Sequence, residues 1–195
     1  LFRSRIPDKV VIAASYPSHS EINNVINKLP CEVKAVNIEG GSWNFANALN
    51  SAVAQCDTDW ICWIGCDDWY LPHALNGWEN SDSDIISFGL EFPNKEYIRY
   101  PIAPTKEQVL NLDNRNLIAC GSPFKKYLWE KIPFQQKLSP YEDWAFIVGA
   151  AINNAKFEST ERIDYIYRIH PNQIRYEDEP VIKKIAQWRD EIING

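Results

Sequence analysis

The sequence predicts an α/β domain, a mostly parallel sheet flanked by helices, and two observations carry that prediction. Apolar runs of strand length alternate with helical repeats through the first 70 of its 195 residues, in the order strand, helix, strand, helix, strand; such alternation implies right-handed crossovers between parallel strands. The third run, Trp60 to Ile64, is apolar at every position and stops at Gly65. That pattern reads as a short strand covered on both faces.

The elements follow in order. Lys9 to Ser15 reads as the first buried strand, closed by a turn at Ser15-Tyr16-Pro17-Ser18. Ser20 is placed to cap a helix over Glu21 to Leu29, where Ile22, Val25, Ile26 and Leu29 recur at helical spacing; Pro30 ends it. Val33 to Ile38 alternates as a second strand, and Glu39-Gly40-Gly41-Ser42 is a turn with Ser42 as a candidate N-cap. A helix from about Trp43 to Gln55 would bury Phe45, Leu49, Ala52 and Val53. After the link Asp57-Thr58-Asp59 comes the Trp60 run. Beyond it, Pro72 to Glu79 suggests a short helix, Asp84 to Leu90 a strand, and Tyr97 to Ile102 a segment that pairs with it or is irregular. Lys106 to Asn111 reads as one or two helical turns, and Pro123 to Trp129 as helical. Ser139 to about Ala155 is a clear helix with Phe146, Ile147, Ala150, Ala151 and Ile152 on its apolar face. Arg162 to Ile169 alternates as a last strand, and Pro180 to Ile193 is an amphipathic helix turning Val181, Ile182, Ile185, Trp188 and Ile192 inward.

Composition narrows the functional classes. The length suits a single domain with a real core, and 45% apolar with 24% charged residues is ordinary for a soluble globular chain. A net charge of −6 without a Lys/Arg stripe argues against tight non-specific binding to nucleic acid or anionic membrane. No apolar run approaches the roughly 20 residues needed to span a bilayer. Cys31, Cys56, Cys62, Cys66 and Cys120 are odd in number and irregularly spaced, which argues for buried thiols in a reducing compartment rather than a disulfide framework or a zinc site. With no secretory pattern at the start, the expected location is cytoplasmic. There is no Met, so Leu1 is not expected to be the natural start.

Three groups of residues carry candidate chemistry. Asp67 and Asp68 follow the third strand at the end where open α/β sheets bind ligands. Two adjacent carboxylates repel unless a positive partner sits near them, and a divalent cation carrying a phosphate is a natural one; a solvated turn is the alternative. Glu142 and Asp143 open a helix, where the dipole alone favours carboxylates. Tyr167-Arg168-Ile169-His170-Pro171 follows the last strand, and a lone His there is more often structural than a ligand.

Taken together, these residues resemble the family-two glycosyltransferases of the GT-A fold, over most of the chain from Val10 to about Ile174. Ser15-Tyr16-Pro17 resembles the family's first-strand Thr-Tyr-Asn, and Glu39-Gly40-Gly41-Ser42 its Asp-Asp-Gly-Ser turn. Asn50 is similar to the Asn of the Ala-Arg-Asn-x-Gly helix. Ile64-Gly65-Cys66-Asp67-Asp68 falls on Leu-Asp-x-Asp-Asp, the DxD motif, with Gly65 in place of the first Asp. Gly121 to Trp129 resembles the Phe-Arg-Arg segment, Tyr141-Glu142-Asp143-Trp144 the Glu-Asp-Trp motif, and Tyr167-Arg168-Ile169-His170 the closing Tyr-Arg-x-His. The donor half is shorter than usual between the second strand and the Asn50 helix.

The resemblance implies a single GT-A-type domain over residues 1–195 with a Rossmann-like central sheet, its first 90 residues binding a nucleotide sugar and residues 91–195 an acceptor. It implies Asp143 as general base, with Glu142 positioning the acceptor or that base, and Asp67 with His170 holding Mn²⁺ or Mg²⁺. Ser15, Tyr16, Pro17, Glu39, Asn50, Gly65, Cys66, Asp68 and Arg168 fall on the donor side, and Trp69 or Trp144 would stack on a sugar or fill the core. The expected activity is inverting, metal-assisted, hexosyltransferase-like transfer from a nucleotide sugar, a UDP-sugar first, to a hydroxyl of a glycan or other small acceptor. One alternative is a non-catalytic sugar- or nucleotide-binding module. Another, a sugar-phosphate nucleotidyltransferase, would carry a glycine-rich basic loop after the first strand, where Ser15-Tyr16-Pro17-Ser18-His19 offers neither glycine nor Lys/Arg.

Overall fold

Lys9–Ala14 (β1) and Glu32–Asn37 (β2) pair in parallel from Lys9 opposite Glu32 to Ala14 opposite Asn37. The computed structural model describes residues 5–14, 24, 26–38, 44–93, 97–112, 116–170 and 178–195. Of the first predicted helix, only Asn24 and Ile26 lie among the described helical residues; Ser20, Glu21, Ile22 and Val25 lie outside them. Helix α1 (Phe45–Val53) packs against β1 and buries Ala46, Ala48, Leu49 and Val53. Its cap is Asn44, whose side chain accepts from the Asn47 N–H at 3.2 Å, one residue pair later than the Ser42 turn suggests.

The larger sheet contains β3 (Trp60–Ile61), β4 (Trp69–Tyr70), β5 (Ile85–Phe92), β6 (Tyr97–Arg99), β7 (Phe124–Lys125) and β8 (Phe157–Ile166). Its order is β3-β7-β5-β8-β4, with β6 paired to β5. β5 and β8 run parallel at its centre; the contacts with β3, β4, β6 and β7 are antiparallel. The two parallel ladders are the long ones, with six registered pairs each against three or fewer in any antiparallel one. The six-stranded sheet is therefore mixed, six parallel pairs to eight antiparallel, and parallel pairs lead only when the separate β1–β2 sheet is included; helices α2 (Lys106–Leu110), α3 (Lys126–Lys131), α4 (Glu142–Ile152) and α5 (Asp178–Asn194) accompany it.

Four expectations are corrected. Trp60 to Ile64 is not a central strand: only Trp60 and Ile61 pair, at the outer position of the sheet, and Ile64 is 44% exposed. The apolar run has a different cause, since Trp63 leaves the ladder to pack edge-on against Phe45 at 5.3 Å. The strand covered on both faces is β5, where Ile85 to Leu90 are all buried. Pro72 to Glu79 forms turns rather than a helix. Its carbonyls are claimed from outside: the Arg162 guanidinium on β8 donates to the carbonyl oxygens of His73 at 3.3 Å and Asn76 at 2.6 Å. Phe124 and Lys125 form β7 before α3 begins, and β8 starts at Phe157, five residues ahead of the alternating stretch.

The core gathers on α4. Trp144 through Ala151 are buried, and Phe146 meets Phe124 at 4.7 Å and Phe134 at 4.8 Å. Val181, Ile185 and Trp188 of α5 close the cluster. Burial on all sides explains why the first turn of α4, with Glu142 and Asp143, sits inside the molecule rather than on it. Among the described residues, no helix is long and apolar enough to cross a membrane.

Candidate active site

Gly65 to Asp68 form a turn in which the Asp68 N–H donates to the Gly65 carbonyl at 3.3 Å. β4 follows at once and pairs with the end of β8, Tyr70 opposite Tyr165 and Trp69 opposite Ile166. That pairing brings the turn to the chain leaving β8, about a hundred residues away in sequence. Asp68 accepts from the Tyr165 hydroxyl at 2.8 Å through Oδ2 and from the Arg168 N–H at 2.9 Å through Oδ1. Asp67 Oδ2 lies 2.8 Å from His170 Nε2. Burial raises the Asp68 carboxyl above its ordinary range, against the pull of those two hydrogen bonds. Arg168 reaches Asp68 through its main chain, and Cys66 is exposed in the turn.

Gly65 lies beneath both carboxylates. A Cβ there would sit 2.9 Å from Asp67 Oδ1 and 3.2 Å from Asp68 Oδ2. The space that a first DxD aspartate would use is thus filled by the two that follow. Any side chain at position 65 requires them to swing outward.

The second carboxylate group opens α4. Asp143 accepts from the Trp144 N–H at 2.7 Å through Oδ1 and from Asn116 Nδ2 at 3.3 Å through Oδ2. Burial raises its carboxyl as well, and the Arg99 charge and the Asn116 hydrogen bond act the other way. Glu142 is 3% exposed, and among the described residues its Oε2 has no hydrogen-bond partner. Burial and then the neighbouring Asp143 charge push it up to about 7.

The two groups share their surroundings. Burial, then Cys120 and the charges of Asp68, Asp143 and Asp67, push the Tyr167 phenol up to about 12. The Cys120 thiol is raised by burial and by Asp143 and Asp68. A narrow cavity lined by Asp143, Asn116, Cys120 and Gly121 reaches Trp63, two residues before Gly65. Gly121 makes the close approach possible. Its φ is 75°, and a Cβ would lie 2.5 Å from the Trp63 carbonyl oxygen and 3.0 Å from the Tyr165 ring. The Tyr70 hydroxyl lies 2.8 Å from the Trp63 carbonyl oxygen and 2.7 Å from that of Gly121, tying the segments together. Gly121→Ala is accordingly expected to cost about 2 kcal/mol or more of stability, read as the urea midpoint; an unchanged midpoint contradicts this packing.

Glu142 supplies a second test. Its ordinary value of 4.5 rises to about 7 in the fold, so the folded state holds the proton through a window in which the unfolded chain has lost it. Stability is then full below the lower value and falls as the pH climbs to the upper one. Glu142→Gln is expected to stabilise the protein by about 3 kcal/mol at pH 8 and by little at pH 4, compared by urea unfolding. An equal difference at both pH values contradicts a proton held at Glu142.

Other predicted residues fare differently. Asn50 does not join the carboxylates. Its Oδ1 accepts from Trp129 Nε1 at 2.7 Å and the Phe134 N–H at 3.0 Å, and its Nδ2 donates to the Phe134 carbonyl at 2.8 Å. The amide makes three hydrogen bonds that fasten residues 129–134 to α1, a structural use of this side chain. Trp144 is 7% exposed and belongs to the core, whereas Trp69 is 43% exposed. Ser15, Tyr16, Pro17 and Glu39 lie outside the described residues. The sequence reading missed Tyr165, Asn116 and Arg99. For Tyr165 a signal exists, since Tyr165 and Tyr167 fall on one face of the last strand just ahead of Arg168 and His170.

Among the described residues no group of three or more His, Cys, Asp or Glu side chains gathers to hold a metal. Asp67 and His170 offer two donors at one point. Two protein ligands suit a hard divalent cation whose remaining positions are taken by phosphate oxygens and water.

No protein-family model matches the chain, and no curated protein matches it by sequence. Solved structures do. TarS residues 1–349 from S. aureus superposes with a TM-score of 0.64 at 15% identity, covering 93% of this chain and 61% of that one. In complex with UDP the TM-score is 0.66 at 17% identity, with 93% and 55% covered. The inositol-1-phosphate CTP transferase from T. maritima gives 0.53 at 12% identity, with 92% and 78% covered. The chain thus spans about three-fifths or less of the TarS structures' length. At these identities the likeness is one of fold: the chain shares the α/β fold of these structures.

Proposed function

We propose that this chain is a glycosyltransferase that moves a sugar from a nucleotide-sugar donor, a UDP-sugar first, to an acceptor hydroxyl with inversion, assisted by Mn²⁺ or Mg²⁺. The observation that carries the reading is the Asp67–His170 pair beside Asp68 in one turn; the charges of Asp68 and of Asp143 at the start of α4 both act on Tyr167 and Cys120. UDP in a TarS complex of the same fold favours UDP as the nucleotide.

The chemistry divides between the two groups. A divalent cation held by Asp67 and His170 would offset the negative charge that grows on the departing diphosphate. Asp68, locked by Tyr165 and the Arg168 N–H, keeps the turn in shape and presents its carboxylate to donor hydroxyls. Asp143 takes the proton from the attacking acceptor hydroxyl. A single base opposite the leaving group gives one displacement and therefore inversion. Glu142, protonated near neutrality, spares Asp143 a second adjacent charge.

Gly65 favours one other reading, a binding module that holds a nucleotide or sugar without turnover, since the first motif aspartate is missing and its space is filled. A panel of sugar nucleotides separates the two, with melting temperature and product formation measured with and without Mn²⁺. Stabilisation that needs both nucleotide sugar and Mn²⁺, together with sugar transfer or slow donor hydrolysis, supports the enzyme. Stabilisation without turnover of any donor supports the binding module.

A further inference from the structure

We propose that Asn116 and Arg99 are positioning residues for Asp143: Asn116 fixes the carboxylate through Oδ2, and Arg99 anchors Asn116 while lending the carboxylate a compensating positive charge. The proposal rests on the reading of Asp143 as general base and concerns residues outside every motif that suggested that reading.

The geometry forms a chain of contacts. β6 pairs with β5, Arg99 opposite Leu90, and lies so close that a Cβ at Gly89 would meet the Arg99 carbonyl oxygen at 2.9 Å. From this fixed strand the Arg99 guanidinium donates to the Asn116 carbonyl. Asn116 Oδ1 accepts from the Ile118 N–H at 3.2 Å, which fixes the amide's orientation and turns Nδ2 toward Asp143. The Trp144 N–H holds the other carboxylate oxygen. Each Asp143 oxygen therefore has a donor that holds it in place.

The electrostatics agree. The ionisation of Asp143 is opposed by its own burial, and its charge in turn keeps the proton on Glu142 of the same helix. Cys120 in the 119–121 segment and Tyr167 beyond β8 face it as neutral groups whose ionisation it suppresses. Arg99 acts in the opposite sense, favouring ionisation at both Asp143 and Cys120. A base must be ionised to accept a proton, so removing Arg99 or the Asn116 donor shifts Asp143 toward its protonated form.

The test reads Asp143 directly, by carbon-13 NMR titration of its carboxyl group in the full chain, alongside the pH profile of transfer. Asn116→Asp keeps the acceptor for the Ile118 N–H while replacing the donor by a like charge; Arg99→Gln removes the cation, and Arg99→Lys retains it. The Asp143 midpoint is expected to rise by about one unit or more in Asn116→Asp and Arg99→Gln, and to stay near the parent's in Arg99→Lys. The acid limb of kcat is expected to move with it, with donor KM little changed. A midpoint that does not move in either of the first two variants overturns the proposal, as does one that moves equally in Arg99→Lys. If the midpoints move as expected while the parent turns over no nucleotide sugar, the control of Asp143 stands and the transferase reading fails.

Discussion

Replacing Asp143 by asparagine is expected to lower the transfer rate by about a thousandfold while leaving donor binding near the parent's. The substitution preserves shape and keeps an oxygen for the Trp144 N–H, so α4 keeps its start. What it removes is the capacity to accept a proton. Asp143 lines a narrow cavity that reaches Trp63, and its replacement leaves the hydrogen bonds of Asp67, Asp68 and His170 untouched. Product formation at saturating donor, paired with a donor thermal shift, checks both halves. Transfer at the parent's rate would remove Asp143 as the base, and lost donor binding would mean that the two carboxylate groups are not separate in function.

Asp67→Ala is expected to weaken metal-dependent donor binding by about a hundredfold or more. The Asp67 and His170 side chains are 30% and 28% exposed. A pair so open to water contributes little to folding, so the variant should melt near the parent's temperature in the absence of ligand. Asp68 is the contrast. Its carboxylate accepts from the buried Tyr165 hydroxyl, and Asp68→Ala would strip a buried donor of its partner. The two neighbouring aspartates therefore have different uses: one shapes the turn and the other faces outward from it. Titration of donor with Mn²⁺ present reads the first effect, and an unchanged affinity in Asp67→Ala rejects the metal assignment.

Where local pattern and packing agreed, the sequence was readable. β1, β2, α4 and α5 stand close to where their apolar spacing puts them, α4 buried nearly all round and α5 through Val181, Ile185 and Trp188. The meeting of Asp67 with His170 was also legible, since each ends an element at a matching place in a known order of motifs. Trp60 to Ile64 was not. A run of five apolar residues cannot say whether it is paired on both sides or leaves the sheet to pack, and Trp63 does the second. Residues 72–79 look helical in isolation, but Arg162 from β8 takes their carbonyls. Asn50 matched a motif by position, while its partners Trp129 and Phe134 lie some eighty residues away and decide its role. Asn116 and Arg99 carry no motif; only the fold of β6 against β5 brings them to Asp143.

The account depends on a nucleotide diphosphate lying between the Asp67–His170 pair and Asp143. A crystal of the protein with UDP and Mn²⁺, examined by manganese anomalous scattering, tests this most directly. The expected result is a manganese peak at Asp67 and His170, shared with the diphosphate, and an open path from there to Asp143. Manganese and nucleotide bound away from this turn, for instance in the groove between Trp60 and Tyr127, would contradict it.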